Sequence, residues 1–123
     1  LGAVYLDTGE SKGLVPEDHP SVVAAMRGSV MGAADVVLTL GRRLDFQLAY
    51  GSPAVFGGAK FVRVGDAPGD VRDNRRGEVE LFADVGATLD ALLAAAGDRE
   101  PAVDRAWAAD LRRQHEERAA RLR

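Results

Sequence analysis

The stretch Ala34-Asp-Val-Val-Leu-Thr-Leu-Gly-Arg-Arg-Leu-Asp45 decides how this chain is read. Val36 to Leu40 is a short apolar run bounded by Asp35 and Gly41. It reads as the central strand of a parallel sheet, buried on both faces. Gly41 follows, where backbone can approach a ligand closely, and then come the guanidinium groups of Arg42 and Arg43 and the carboxylate of Asp45. Open α/β sheets bind ligands just outside the carboxyl ends of their strands, so Gly41-Arg-Arg43 is the first candidate site.

Upstream, Ala3 to Leu6 reads as a first short strand running into Asp7-Thr-Gly-Glu-Ser-Lys-Gly13, a loop of turn formers that continues to Pro20. Val22, Val23, Met26 and Val30 recur at helical spacing and predict a helix from Ser21 to about Met31, with Asp18 as its cap and Pro20 in its first turn. Gly28 and Gly32 weaken that helix and imply close packing against it. Downstream, Phe46 to Phe56 is an irregular segment predicted as a helical turn and a surface loop. Lys60 to Val64 is a third strand, Arg72-Asp-Asn-Arg-Arg76 a solvated charged stretch, and Val79 to Phe82 a fourth strand. Asp84 caps a helix carrying Val85, Leu89, Leu92 and Leu93 on one face, and Gly97 stops it.

The last segment, Pro101 to about Leu122, is helical by composition. Its apolar stripe is only Val103, Trp107 and Leu111, so it is expected to pack on a partner outside the chain or to link to another domain. Trp107 reads as an interface anchor. Strands alternating with helices predict a parallel α/β sheet with flanking helices. With about four short strands and a first residue that is Leu rather than Met, the chain reads as cut from something longer, a processed terminus being the alternative.

At 123 residues, 46% hydrophobic and 28% charged, the composition is that of one globular domain. A formal charge of −3 gives no footprint for nucleic acid or an anionic membrane. The absence of cysteine excludes disulfides and thiolate chemistry and suits a cytoplasmic protein. No apolar run approaches the roughly 18 residues of a membrane span.

The chemistry on offer is sparse. His19 and His115 stand on unrelated elements, without a second ligand at metal spacing; His19 reads as a helix-start residue and His115 as solvent-facing. No Gly-x-Ser-x-Gly elbow, Walker loop or Rossmann glycine fingerprint occurs. Asp7-Thr-Gly9 lacks the second triplet that an aspartic protease would need. A guanidinium at a strand end can grip a diphosphate or stack on adenine, or else pair with Asp45 or Asp66. Asp66, after the third strand, could accept from ribose hydroxyls.

Lys12-Gly-Leu-Val-Pro-Glu-Asp-His-Pro20, then Ala24-Ala-Met-Arg-Gly28, then Ala34 to Asp45 resemble the central domain of thiamine-diphosphate-dependent enzymes. The resemblance is to the branch holding 2-hydroxyacyl-CoA lyase, oxalyl-CoA decarboxylase and the acetolactate synthase large subunit. There the pattern reads K-G-x-x-P-x-x-H-P, A-A-R-S and A-D-V-V-x-x-x-G-A-R-L-[ND]-W. Phe61-Val-Arg-Val64 and Pro68 to Asn74 are similar to that branch's F-I-Q-V-D-I-x-P-x-E-I-x-x-N, and Leu81-Phe-Ala-Asp-Val85 to its G-D-V. The pieces cover about residues 1 to 96 in one unbroken order.

The resemblance implies a Rossmann-like parallel sheet with flanking helices that lacks its first strand and helix. Residues 1–97 would be a partial central domain and 98–123 a helical connector toward a C-terminal cofactor domain. The parent enzyme would be a carboligase, lyase or decarboxylase of 2-oxo or 2-hydroxyacyl substrates. It would carry thiamine diphosphate and Mg²⁺ on other domains, the cofactor serving as electron sink. This segment would hold no catalytic residue and no metal, and would act as scaffold, with ADP or FAD in its own site. The residues that fall on that site are Gly41, Arg43, Asp66, Ala67 and Asp84. The family's D-I-D becomes Gly65-Asp66-Ala67, so the usual ribose carboxylate is absent and Asp66 would substitute for it. The glycine-rich phosphate loop is absent as well. Expected partners are N- and C-terminal thiamine-type domains and further copies in a homo-oligomer, with neither nucleic acid nor membrane. A free-standing nucleotide-binding module and a purely structural domain are the alternatives.

Overall fold

A computed structural model describes residues 3–6, 18–97 and 105–121. It divides into two units: Met31–Arg99, and Leu1–Val30 with Glu100–Arg123.

The first of these is built on a parallel sheet of three strands, β1 (Val36–Leu40), β2 (Lys60–Gly65) and β3 (Val79–Phe82), in the order β1-β2-β3. Side chains alternate between faces along each strand. The register therefore puts Leu38, Val62 and Val79 on one face, and Thr39, Arg63 and Glu80 on the other. The strand buried on both faces is β2, where Phe61, Arg63, Val64 and Gly65 are all buried. The expectation that Val36 to Leu40 is central is corrected. Among the described residues β1 pairs on one side only, and Val36 and Leu38 are exposed.

The connections do more of the packing than their composition suggests. Between β1 and β2, the chain turns through positive φ at Ala49, Tyr50 and Gly51 and enters α2 (Pro53–Phe56), where Ser52 Oγ accepts from the Ala54 N–H. The segment expected as surface loop instead buries Phe56 edge-on against Phe61, ring centroids 5.1 Å apart. Between β2 and β3, α3 (Pro68–Val71) leads into the 72–76 stretch. That stretch is solvated only in part: Arg72, Asn74 and Arg76 are exposed as expected, while Asp73 and Arg75 are half-buried. Arg75 lies 4.9 Å over the Phe61 ring and donates to the carbonyls of Gly51 and Ala59. Asp73 accepts from the Leu44 N–H and Asn74 donates to the Leu44 carbonyl, so the segment after β1 and the segment before β3 are tied together.

After β3, Asp84 opens α4 (Val85–Ala96) by accepting from the Ala87 N–H at 2.8 Å, and Gly97, at φ 52°, closes it. Both ends fall where the sequence puts them. Leu89 and Leu92 are half-buried, while Leu93 is exposed.

In the other unit, the strand expected at Ala3–Leu6 is a single parallel bridge, Tyr5 to Val22. The Tyr5 N–H donates to the Ser21 carbonyl and the Tyr5 carbonyl accepts from the Val23 N–H, which occupies these residues, so the helix starts later than its apolar spacing predicts. A 3₁₀ turn at Ala24–Met26 runs into α1 (Arg27–Ala33). Where Asp18 is expected as cap, the acceptor is His19 Nδ1, which takes the Ser21 N–H. Gly28 has open space where a side chain would stand, so no close packing explains it.

Helix α5 (Arg105–Arg121) finds its partner within the chain. Leu111 joins Val23, Met26 and Val30 in a buried cluster against which Val4, Leu6 and Trp107 pack. Its polar side is anchored too: the Ala25 N–H donates to His115 Nδ1, and Arg112 donates to the carbonyls of His19 and Val22. His115 is thus half-buried rather than solvent-facing. The readings made for residues 7–17, for Pro101 and for Val103 lie outside the described residues. No described helix is long and apolar enough to cross a membrane.

Candidate functional site

Because the three strands are parallel, the residues that follow them gather at one edge of the sheet. Gly41 follows β1, Asp66 and Ala67 follow β2, and Asp84 comes two residues after β3. The ladder runs on into these residues, since the Gly41 N–H donates to the Val64 carbonyl and the Ala83 N–H to that of Gly65. Gly41 sits at φ 63°, a conformation that an L side chain seldom adopts, so glycine there is a backbone requirement.

The two arginines part company. Arg42 pairs bidentately with Asp45, at 3.1 and 3.2 Å, which is the structural role weighed for it. Arg43 keeps 63% of its side chain exposed at the strand end and approaches Asp70 Oδ1 through Nε at 3.4 Å. Its guanidinium lies over Gly69, where a Cβ would stand 2.7 Å from Nη2. The glycine is what lets the cation lie there.

Asp66 is exposed, one residue beyond the strand. Ala67 is the extended residue before α3, and its carbonyl accepts the Asp70 N–H. Asp84 already spends a carboxylate oxygen on the first turn of α4. Arg43 and Asp70 are thus the pair that the fold brings into contact, and Asp70 was not among the residues singled out by sequence. Its position in the Pro68 to Asn74 run was visible, but its meeting with Arg43 depends on how α3 sits over the end of β2.

Arg63 is the second residue that sequence reasoning missed. Its guanidinium is fully buried and makes five hydrogen bonds. Nε donates to Thr39 Oγ1, Nη1 to Asp73 Oδ1 and the Arg75 carbonyl, and Nη2 to the carbonyls of Arg42 and Asp70. All five guanidinium N–H groups are thereby used. Two of these bonds fix the backbone next to Arg43 and the backbone of Asp70, so Arg63 holds both halves of the candidate pair from below. Period-2 alternation from the buried Phe61 is the signal that places Arg63 inward.

Beside the sheet, Glu80 accepts from Arg76, Arg72 and the Gly77 N–H. The Arg76 hydrogen bond leads in holding its carboxyl down at about 2, against the opposing effect of burial. Among the described residues no group of three or more His, Asp or Glu side chains could hold a metal ion.

Fold and sequence agree on a class. Residues 1–92 match the family model of the thiamine pyrophosphate enzyme central domain, and the chain belongs to that family. Among individual relatives it is 33% identical to mouse (Mus musculus) 2-hydroxyacyl-CoA lyase 1 over 90 residues, 72% of this chain and 16% of that protein. It is 36% identical to the acetolactate synthase large subunit IlvG of Mycobacterium tuberculosis over 93 residues, 75% of this chain and 17% of that one. It is 29% identical to the oxalyl-CoA decarboxylase of Escherichia coli strain K12 over 90 residues, 73% and 16% of the two chains. The matched segment is about a sixth of each of these relatives' length.

Proposed function

We propose that this chain serves as the central domain of a thiamine-diphosphate-dependent carboligase, lyase or decarboxylase acting on 2-oxo or 2-hydroxyacyl substrates, and that its strand-end edge takes ADP or FAD. The family match supports the first part. The second rests on one observation: a largely exposed guanidinium, Arg43, at the carboxyl end of a parallel strand and beside a glycine of positive φ.

Thiamine diphosphate, when bound, supplies an electron sink for making and breaking a carbon–carbon bond. The described residues offer no converging carboxylates for its Mg²⁺, so no chemical step is assigned to them. The cofactor and metal belong on domains flanking this one, with residues 98–123 leading toward the C-terminal one, in a cytoplasmic homo-oligomer. Within this chain, Arg43 would hold phosphate or adenine, and Gly41 and Ala67 would allow close approach by backbone.

A structural reading has its own support. Gly65 carries no carboxylate, and Arg43 already has an internal partner in Asp70. Calorimetric titration of the protein with ADP and with FAD separates the two. Heat with either nucleotide that falls at least tenfold in affinity in Arg43→Ala supports the nucleotide site, the loss of a charge-assisted hydrogen bond being worth about that much. No heat with either supports the scaffold alone.

A further inference from the structure

We infer that the carboxylate facing a bound ribose at this edge is Asp70, not Asp66, and that Gly65 is the vacancy that admits it. The inference rests on the nucleotide reading above and specifies which residue would select the sugar.

Gly65 is buried at the end of β2, and a Cβ built on it would lie 2.7 Å from Asp70 Cβ and 3.4 Å from Val71 Cγ2. The first side-chain carbon of Asp70 therefore crowds the place a side chain of residue 65 would need. Two such carbons 2.7 Å apart are closer than Cβ atoms approach, so with α3 where it is, only one of the two residues can carry a carboxylate. In this chain α3 supplies it.

Its seat is firm. The Asp70 N–H donates to the Ala67 carbonyl at 3.0 Å, and its own carbonyl accepts from the buried Arg63 at 3.1 Å. The carboxylate is treated differently. It remains 21% exposed and takes one side-chain donor among the described residues, Arg43 Nε, at 3.4 Å. That is long for a charge-assisted contact, which closes to about 2.7–2.9 Å when tight. A carboxylate has about four acceptor sites, so most of this one's capacity remains for a ligand's hydroxyls. An acid at a strand end that accepts from ribose is the general solution in parallel α/β sheets.

The adjacent cation completes the recognition. A nucleoside diphosphate brings negative charge for Arg43 and vicinal hydroxyls for Asp70, replacing one weak internal pair with two complementary contacts. Asp66, by contrast, is exposed and lies one residue beyond the strand, while the contact with Arg43 is made by Asp70. The ligand selected is a nucleotide with an intact ribose.

The test compares ADP with 2′,3′-dideoxy-ADP by calorimetry on the protein and on Asp70→Asn and Asp66→Asn. ADP is expected to bind about tenfold or more tightly than the dideoxy analogue, the worth of hydrogen bonds to a charged acceptor. Asp70→Asn brings that ratio near one while still binding the dideoxy analogue, which shows the edge intact. Asp66→Asn leaves the ratio unchanged. A ribose preference that Asp66→Asn abolishes and Asp70→Asn keeps, or binding with no ribose preference, overturns the assignment of Asp70 alone. Binding of neither nucleotide overturns the nucleotide reading and this one with it.

Discussion

Replacing Arg63 with methionine tests the account of how the candidate edge is held. Methionine fills much of the same volume but supplies none of the five donors, and the site is fully buried. Asp73 then loses its buried cationic partner while retaining the Leu44 N–H, and the hydroxyl of the buried Thr39 loses the Arg63 donor. Removing one member of a buried ion pair costs about 3–5 kcal/mol, and each acceptor left unsatisfied about 1–3 kcal/mol. Asp73 is 17% exposed, so water recovers part of the loss around it. The expected destabilisation is about 4 kcal/mol, against a total stability of roughly 5–15 kcal/mol for a folded domain.

Urea unfolding followed by far-ultraviolet circular dichroism reads this directly. Trp107 fluorescence is the wrong probe, because that indole packs in the other unit with Leu111. Hydrogen exchange should accelerate at the amides of β1 and β2. In a double-mutant cycle, Asp73→Ala should cost at least 1 kcal/mol less in the Arg63→Met background than alone, as expected for groups in one network. A loss under 1 kcal/mol for Arg63→Met, or additive effects in the cycle, would refute the idea that this guanidinium organises the loops.

Three further changes have clear signs. Gly77→Ala places a Cβ 2.7 Å from the Val79 carbonyl oxygen, 2.9 Å from Arg63 Cγ and 3.0 Å from the Phe61 carbonyl oxygen. Such overpacking against strand backbone should destabilise by about 1–3 kcal/mol in urea unfolding. Gly28→Ala meets nothing within 4 Å in α1 and should stabilise by about 0.5–1 kcal/mol, seen as a raised Tm. Glu80, with its carboxyl lowered from 4.5 to about 2 in the folded protein, stabilises fully above the unfolded value. That contribution is lost as pH falls from 4.5 toward 2, so Tm against pH should drop more steeply in the parent than in Glu80→Gln over that window.

The parts of the fold legible in sequence were those decided locally. Asp84 and Gly97 bracket α4 because a cap and a stop act through their own turn, and Val79 to Phe82 forms a strand as its composition predicts. The family pattern was likewise readable in order along the chain, and the match over residues 1–92 agrees with it. The candidate edge was half legible. Parallel topology brings Gly41, Asp66, Ala67 and Asp84 to one end, but which side chains meet there depends on α3.

What sequence misjudged was charge. Guanidinium groups are rarely buried, so composition marks the whole 72–76 run as solvated and gives no sign of a buried Arg63, whereas Asp73 and Arg75 are half-buried and Arg72, Asn74 and Arg76 stay exposed. Here Arg63 is enclosed because its five donors all find acceptors brought by β1, by α3 and by the loops after them, and Arg75 is held because Phe61 offers a ring face and Gly51 and Ala59 offer carbonyls. Each such acceptor is invisible until the loop that carries it has been placed. The same holds for α5, whose thin stripe of Trp107 and Leu111 understated its attachment, since Arg112 and His115 bond the 19–25 backbone. Charged side chains in this protein therefore do what a larger apolar core would otherwise do, binding loop backbone to sheet and helix. A substitution that preserves charge but alters donor geometry, Arg63→Lys, should then be far from conservative, because an ammonium offers three donors where five acceptors wait.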